Sequence, residues 1–328
     1  MGELLLRERL HPAVLAWTAR RPKSEPWCVA FSGGADSLAL LFLLWGHWPE
    51  RRRRLVALHF NHRLRGRAST ADAAFCRNVC RALGVKLRVG EWLGAHPGAS
   101  EAETRAARHV FFAREMMRAG ARTLWLAHQQ DDIAESLLMR LSRGSGTGGL
   151  AAPRPVQLQT DGRVHLRPLL TLKKAELVAA LRAASAVWRE DASNAGENYF
   201  RNRIRRTVLP ALVKASGRDA LAGMALSRER LEEDDAALEA WLAELKPCVR
   251  GRLELRRLQG RPRALWRRAL HRWLLVQPLQ SDLSRQGFAV LLASVECGRP
   301  TRFSLGVNGF AVIRDHQLRL EMRRRRRS

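Results

Sequence analysis

Short aliphatic and β-branched runs alternate with longer segments of helical periodicity through the first 185 residues. The short runs predict strands at 27–31, 54–60, 86–92, 123–128 and 164–169. The longer segments predict helices at 37–46, 69–83, 100–119, 131–141 and 173–184. Because a helix follows each strand, the pattern predicts an α/β fold with a doubly wound parallel sheet.

After Pro210 the pattern becomes mainly helical. Residues 219–245 are rich in Ala, Leu and Glu and predict one long helix or a helical hairpin, and 262–276 predict another helix. Short alternating segments over 301–321 predict a small terminal β-hairpin. We therefore expect an α/β domain over 1–215 and a smaller, mainly α-helical domain over 216–328.

The chain is strongly basic. Its 58 Lys and Arg residues against 31 Asp and Glu give a formal net charge of +27. Such an excess predicts a polyanionic partner, for which nucleic acid is the natural candidate. Only six of the basic residues are lysines, so a GC-rich genome is a second explanation for part of the arginine content. The basic runs at 51–54 and 323–327 suit either phosphate contacts or a solvated surface.

Apolar content and cysteine placement favour a cytoplasmic globular protein. Hydrophobic residues make up 46% of the chain, yet no apolar run approaches the roughly 20 residues of a membrane span. Charged residues also interrupt the first apolar patch, unlike a signal peptide. The five cysteines include no Cys-x-x-Cys pair, which favours buried free thiols over a zinc site or a sulfur relay. We expect no membrane partner.

The motif Ser-Gly-Gly-Ala-Asp-Ser at 32–37 connects the first predicted strand to the first predicted helix. Two glycines let consecutive backbone N–H groups approach an anion, and the helix N-terminus adds partial positive charge. The residues expected to bind a nucleotide here are Ser32, Gly33, Gly34, Ala35, Asp36 and Ser37. Asp36 beside a polyphosphate implies a bridging cation such as Mg²⁺. The alternative is a simple helix cap, and the missing Walker lysine disfavours γ-phosphate transfer.

Further polar groups follow other predicted strands. The segments 59–62 and 128–132 are expected to meet the 32–37 loop at the carboxyl ends of the sheet. Asp132 and Glu135 lie three apart on one helix face, which suits a metal ion or a cationic substrate, or merely complements the helix dipole. The glycine-rich run 143–149 follows a helix, so it is either a mobile loop over the site or a helix stop.

Two arginine-containing segments complete the candidate chemistry. Arg105 and Arg108 lie on adjacent turns of one side of a predicted helix. Residues 199–206 interleave aromatic side chains with arginines, a composition suited to gripping RNA phosphates and stacking on a base.

In this order, the motifs resemble the bacterial tRNA(Ile)-lysidine synthetases, strongly over residues 25–215 and loosely beyond. The resemblance is carried by the segments 32–37, 59–65, 101–108, 131–136, 143–146, 167–169, and 191–194 with 199–205. The first of these is similar to the pyrophosphatase-type (PP) loop of ATP-dependent adenylating enzymes. The resemblance therefore implies an adenine nucleotide α-hydrolase-like fold.

The resemblance also implies a reaction. ATP adenylates the C2 oxygen of the wobble cytidine in an isoleucine tRNA with a CAU anticodon, and the ε-amine of free L-lysine then displaces AMP to give lysidine. Mg²⁺ would assist pyrophosphate departure through Asp36. The implied catalytic residues are Asp36, Asp132, Glu135, Arg105 and Arg108. His59 and Asn61 join the loop in ATP binding, and the tRNA contacts are Tyr199, Arg201, Asn202, Arg205 and Arg206. A homodimer is the assembly to test.

Five positions depart from the family pattern. Asn61, Arg63, Gln129, Ile133 and Ala192 stand where Asp, Gly, His, Gln and Pro are common. Two other functions stay open. A related tRNA thiolase activates a base with ATP and attacks with sulfur, and missing paired cysteines disfavour it. A basic RNA-binding module with an inactive nucleotide site is disfavoured by the intact acidic residues.

Overall fold

The computed structural model describes residues 2–63, 67–96, 98–190, 200–278, 283–306 and 309–322. The chain divides into two compact units, Met1–Glu232 and Glu233–Ser328. The boundary between these compact units lies later in the chain than residue 215, where the sequence predicts that the ATP-binding domain ends. The assignment of functions to the two predicted domains stays a prediction.

A six-stranded sheet organises the described part of the first unit. Its strands are β1 (Trp27–Ala30), β2 (Leu55–Asn61), β3 (Lys86–Glu91), β4 (Thr123–Trp125), β5 (Val156–Leu158) and β6 (Val164–Leu166), in the order β3-β2-β1-β4-β6-β5. All neighbouring strands are parallel except β5, which runs antiparallel to β6 at the edge. The predicted parallel sheet is confirmed. Strand β5 was not predicted because its three partly exposed residues carry no periodic signal.

Helices follow the strands as the periodicity predicts. In the described residues of this unit they are α1 (Pro12–Ala19), α2 (Ala35–His47), α3 (Arg67–Leu83), α4 (Glu101–Ala119), α5 (Gln130–Leu141), α6 (Thr147–Leu150), α7 (Lys174–Ala183), α8 (Phe200–Arg203) and α9 (Leu209–Ser216). A π-helical turn, Ile204–Val208, joins α8 to α9. The five predicted helices are confirmed with ends within two residues of those observed.

Both faces of the sheet are covered, which makes the fold doubly wound. Trp27, Val29 and Phe31 point into a core shared with α2, α3 and α7. Cys28 points the other way, into a core with Phe111 of α4. Successive side chains of a strand alternate between faces, so a strand buried on both sides reads as a continuous apolar run.

The strand order creates a crevice beside β1. The chain adds β2 and β3 on one side of β1 and then places β4 on the other. In open parallel sheets, ligands bind outside the carboxyl ends of the strands at such a switch point. The segment 32–37 follows β1 and His128 follows β4, so both lie at this crevice.

The second unit pairs helices with an antiparallel sheet. Helix α10 (Ala220–Leu245) carries the chain into it, followed by α11 (Arg263–Leu275) and α12 (Arg285–Cys297). The strands are β7 (Cys248–Val249), β8 (Arg252–Glu254), β9 (Thr301–Ser304), β10 (Gly309–Arg314) and β11 (Gln317–Met322), in the order β7-β8-β11-β10-β9. The predicted hairpin is β10–β11, but it belongs to a larger sheet. Across the described residues, no helix is both long and apolar enough to cross a bilayer.

Candidate active site

The 32–37 loop is held in shape by its two serine hydroxyls. The Ser32 backbone N–H donates to Ser37 Oγ at 3.2 Å, and the two hydroxyl oxygens lie 3.0 Å apart. Ser37 Oγ also donates to the Gly34 carbonyl at 3.0 Å. Gly34 is the N-cap of α2, and no described side chain caps it. The first N–H groups of α2 are therefore left for an anion, unlike in a simple side-chain helix cap.

Gly33 is required by both conformation and space. Its φ is +90°, and a Cβ there would lie 3.2 Å from Cys76 Sγ and from a ring carbon of Phe75. Its carbonyl accepts a 2.9 Å hydrogen bond from the Arg189 backbone N–H. The loop is thus fixed from both sides before any ligand arrives.

Asp36 contributes a buried carboxylate oxygen to this loop. Its Oδ1 is buried and accepts no hydrogen bond from the described residues. Burial raises the pKa of Asp36 to about 6, while the charge of Lys174 acts in the opposite direction. A buried, unsatisfied carboxylate oxygen beside a phosphate loop is the donor that Mg²⁺ prefers, so the residues present fit a magnesium–nucleotide complex.

A cavity of about 1010 Å³ opens at this loop. It is large enough for a nucleotide together with a second group. Several other parts of the first unit line it besides the loop. Among the lining residues are His59, Asn61 and His62 at the β2 end, Arg105, Arg108 and His109 of α4, His128 after β4, and Lys174 and Arg182 of α7. The sequence-predicted nucleotide residues His59 and Asn61 and both predicted α4 arginines are thus brought together.

Two hydrogen bonds to the backbone shape the end of β2. The buried His59 ring lies with Nδ1 3.0 Å from the Phe31 carbonyl oxygen, and burial lowers its pKa. Asn61 Oδ1 accepts a 2.8 Å hydrogen bond from the Arg63 backbone N–H, an Asx turn open to Asn as well as Asp. Arg63 has φ of +59°, which accounts for the glycine common there.

One wall of the cavity joins arginines to neutral histidines. Arg105 and Arg108 line it beside His109. Burial and then these two guanidinium groups lower the pKa of His109 to about 4. Its ring stacks on His165 with centroids 5.7 Å apart, and burial lowers the pKa of His165 to about 3. The wall therefore carries its positive charge on arginine alone.

His128 continues this wall at the end of β4. Its Nδ1 accepts a 3.2 Å hydrogen bond from Arg167 Nε, and burial lowers its pKa well below the usual value. Burial and the charge of Arg105 lower the pKa of Arg167 to about 10. Arg167 is buried behind His128 and is not among the residues that line the cavity, so the positive charge that favours an anionic ligand here is that of Arg105 and Arg108.

The α5 carboxylates are bound by two arginines of the 199–206 segment. Arg201 donates to Asp132 at 2.9 Å and to Glu135 at 2.8 Å. Arg205 donates to both oxygens of Glu135, whose side chain is fully buried. Two acids and two guanidiniums thus form a neutral ionic cluster. Arg205 also lines the main cavity, so the cluster delivers one predicted RNA-binding arginine to the active-site space.

Helix α5 is capped by Asp132 together with Gln129, one of the residues that depart from the family pattern. Gln129 Oε1 accepts from the Asp131 N–H at 2.6 Å, and Asp132 Oδ2 accepts from the Gln129 N–H at 3.0 Å. The Asp132 carboxylate therefore caps the helix with one oxygen and binds Arg201 with the other. Ile133 is buried in this helix.

Other predicted residues have different placements. Arg206 is exposed and Asn202 is buried. Tyr199 and Ala192 lie outside the described residues. The 143–149 run follows the end of α5 and contains the start of α6, where Arg140 Nη1 donates to the Gly149 carbonyl at 2.8 Å. None of its residues is among those that line the main cavity.

The sequence analysis missed part of the cavity. Lys174 and Arg182 of α7, and Trp188 and Arg189 beyond it, were not assigned roles but line it. The available signal was the Lys173-Lys174 pair in a chain with six lysines, at the start of a predicted helix.

Comparison with known proteins agrees with this geometry. Residues 8–212 match the family described as PP-loop domain. A tRNA(Ile)-lysidine synthase from Symbiobacterium thermophilum is 41% identical over 215 residues, covering 64% of this chain and 44% of that protein. One from Rhodopseudomonas palustris is 39% identical over 237 residues, covering 70% of this chain and 67% of that protein.

A solved structure shares the fold. The U34-tRNA thiolase NcsA from Methanococcus maripaludis, described with its 4Fe-4S cluster, has a TM-score of 0.56 at 17% identity, covering 69% of this chain and 76% of that one. The chain spans about half the length of several curated relatives that it matches. Because the PP-loop match covers most of the chain and one relative is matched over two thirds of its length, the chain belongs to the PP-loop domain family and, within it, to the tRNA(Ile)-lysidine synthase family.

Proposed function

We propose that the protein ligates L-lysine to C2 of the wobble cytidine in the isoleucine tRNA with a CAU anticodon, using ATP. The observation that carries the proposal is the juxtaposition of the 32–37 loop, the unpartnered Asp36 oxygen and the arginine wall around one cavity. Identity to several proteins named tRNA(Ile)-lysidine synthase supports the same substrates. Cytoplasmic action and a homodimeric assembly are parts of this proposal that rest on the sequence alone.

In the first step, the cytidine O2 attacks the α-phosphorus of ATP and the bond to pyrophosphate breaks. The loop N–H groups and the start of α2 bind the phosphates, and Arg105 and Arg108 stabilise negative charge that develops during transfer. Asp36 would hold Mg²⁺, which when bound would supply further positive charge beside the phosphates. The neutral histidines beside the arginines leave the wall's charge to the guanidinium groups alone.

In the second step, the ε-amine of lysine attacks C2 and AMP leaves. The attacking amine must be neutral, so a proton is lost from the ammonium before attack. Asp132 and Glu135 are the carboxylates proposed to attract this ammonium. Because Arg201 and Arg205 bind them, lysine binding requires a rearrangement of this cluster. Arg205, which faces the cavity, completes the active site together with the proposed tRNA contacts Arg201, Asn202, Arg206 and Tyr199.

The proposal is tested by incubating the protein with ATP, labelled lysine and the isoleucine tRNA. We expect label in the RNA and equal amounts of AMP and pyrophosphate, with no label in an elongator methionine tRNA that shares the CAU anticodon. Asp36→Asn should abolish incorporation. Asp161→Asn is the matched control, because Asp161 lies on an exposed turn paired with Arg163.

The outcomes separate the alternatives. No incorporation with ATP cleavage intact would refute lysine ligation, and thiolated nucleosides in the tRNA would identify a thiolase. Burial raises the pKa of Cys28 and of Cys80 to about 12, which disfavours the thiolate form of these two residues.

A further inference from the structure

The 32–37 loop contains no lysine, yet a lysine from a distant part of the chain lines the same cavity. Lys174 is the first residue of α7 and shares the cavity wall with Asp36. Val178 and Arg182 follow at four-residue intervals on α7 and line the cavity as well. One face of α7 therefore adds an ammonium and a guanidinium to a space whose other walls are the phosphate loop and the α4 arginines.

Two backbone contacts fix the start of α7 relative to α5. The Lys174 N–H donates to Asp131 Oδ2 at 3.0 Å, and the Gln130 N–H donates to the Leu172 carbonyl at 2.9 Å. These bonds tie the first turn of α7 to the first turn of α5, next to the ionic cluster of Asp132 and Glu135. The backbone that carries the Lys174 side chain is thus held in place.

The two adjacent lysines have different surroundings. The Lys173 ammonium binds Asp219. Lys174 is exposed, and its ammonium takes part in none of the ion pairs formed within the described ranges. A cation in the first turn of a helix is opposed by the helix dipole. A lysine in that position, exposed toward a cavity lined by a phosphate loop, is suited to bind an anion that the protein itself does not supply.

We propose that Lys174 is a further phosphate-binding residue, whose ammonium binds the pyrophosphate portion of ATP. The position beside Asp36 favours the polyphosphate over the adenosine. The ammonium then neutralises charge on the pyrophosphate as its bond to the α-phosphorus breaks. This assignment rests on the proposed adenylation, and it supplies from α7 the cation that the loop lacks.

The test measures binding of ATP, AMP and pyrophosphate, each with Mg²⁺, to purified full-length variants by titration calorimetry. Lys174→Met keeps the length of the side chain and removes the charge. We expect this variant to bind ATP and pyrophosphate at least tenfold more weakly than the wild type, and AMP less than twofold more weakly. Lys174→Arg keeps the charge and should stay within about threefold of the wild type. Lys173→Met is the matched control one residue away and should bind all three ligands normally.

The salt dependence gives a second readout that a merely structural role would not change. Loss of one phosphate contact should make ATP affinity in Lys174→Met fall less steeply with salt than in the wild type. The assignment would be overturned if Lys174→Met weakened the binding of ATP and of AMP equally. It would also be overturned if Lys173→Met and Lys174→Met weakened ATP binding equally. These measurements need neither tRNA nor lysine, so a wild type that makes no lysidine would refute the proposed function while leaving the Lys174 result to stand or fall separately.

Discussion

Replacing Asp36 by Asn should stabilise the metal-free protein, and more so at high pH. Burial raises the pKa of Asp36 to about 6, against about 3.9 for an aspartate in an unfolded chain. A raised carboxyl pKa means that folding favours the protonated form, so stability is full below about pH 3.9 and falls as pH rises through 6. The full difference corresponds to about 3 kcal/mol, an upper bound because the side chain is partly exposed.

Asparagine cannot ionise, so the variant avoids this loss. The gain in unfolding free energy over the wild type should increase by about 1.5 kcal/mol between pH 5 and pH 8. Urea unfolding in EDTA, followed by circular dichroism at both pH values, measures it. In the control Asp161→Asn the difference should stay constant, because hydrogen bonds from Arg163 lower the pKa of Asp161 to about 2 and it is ionised throughout. If Asp36→Asn raised the unfolding free energy by the same amount at pH 5 and pH 8, the inference that burial raises the pKa of Asp36 would be refuted.

Three further substitutions test other parts of the site. Gly33→Ala places a Cβ 3.2 Å from Cys76 Sγ on a residue whose φ is +90°. We therefore expect the free energy of unfolding to fall by about 1–2 kcal/mol and ATP binding to weaken at least tenfold in calorimetry. An unchanged ATP affinity would contradict the role of Gly33 in the loop. Arg63→Gly should stabilise by about 1 kcal/mol in urea unfolding, because it relieves φ of +59° and loses only the exposed ion pair of Arg63 with Glu91, which is worth little. Glu135→Gln should destabilise by about 3–5 kcal/mol, since it leaves Arg205 partly uncompensated. A loss no larger than for Glu176→Gln, at a half-buried carboxylate paired with Arg9, would argue against a tightly coupled cluster.

Much of the first unit could be predicted because its signals are local. Strand β1 is apolar on both faces, and α2 begins where a glycine pair ends the strand, so both elements are visible in a short window of sequence. Strand β5 and the pair β7–β8 are two or three residues long, and their pairing partners lie elsewhere in the chain. Such strands form through tertiary contacts, which override weak local preferences.

The candidate site shows the same limit. The phosphate loop and the acids of α5 could be found from motifs, because each motif is contiguous. That Arg201 and Arg205 bind Asp132 and Glu135 could not, since about 66 to 70 residues separate the hydrogen-bonded partners. The same holds for Lys174, whose place beside Asp36 depends on how α5 and α7 begin at one edge of the sheet.

The histidines in the arginine wall have a consequence for proton exchange with solvent. A polyanion entering a site normally raises the pKa of nearby imidazoles and takes up protons near neutral pH. Here the pKa of His109 is about 4 and that of His165 about 3. If a bound polyanion raised each of these pKa values by about one unit, both rings would still be neutral above pH 6. Of these three groups, only Asp36 then exchanges a proton on nucleotide binding, because a cation that pairs with it favours its ionised form. Measuring the binding enthalpy in buffers of different ionisation enthalpy would detect this proton release, which we expect only near and below the pKa of Asp36.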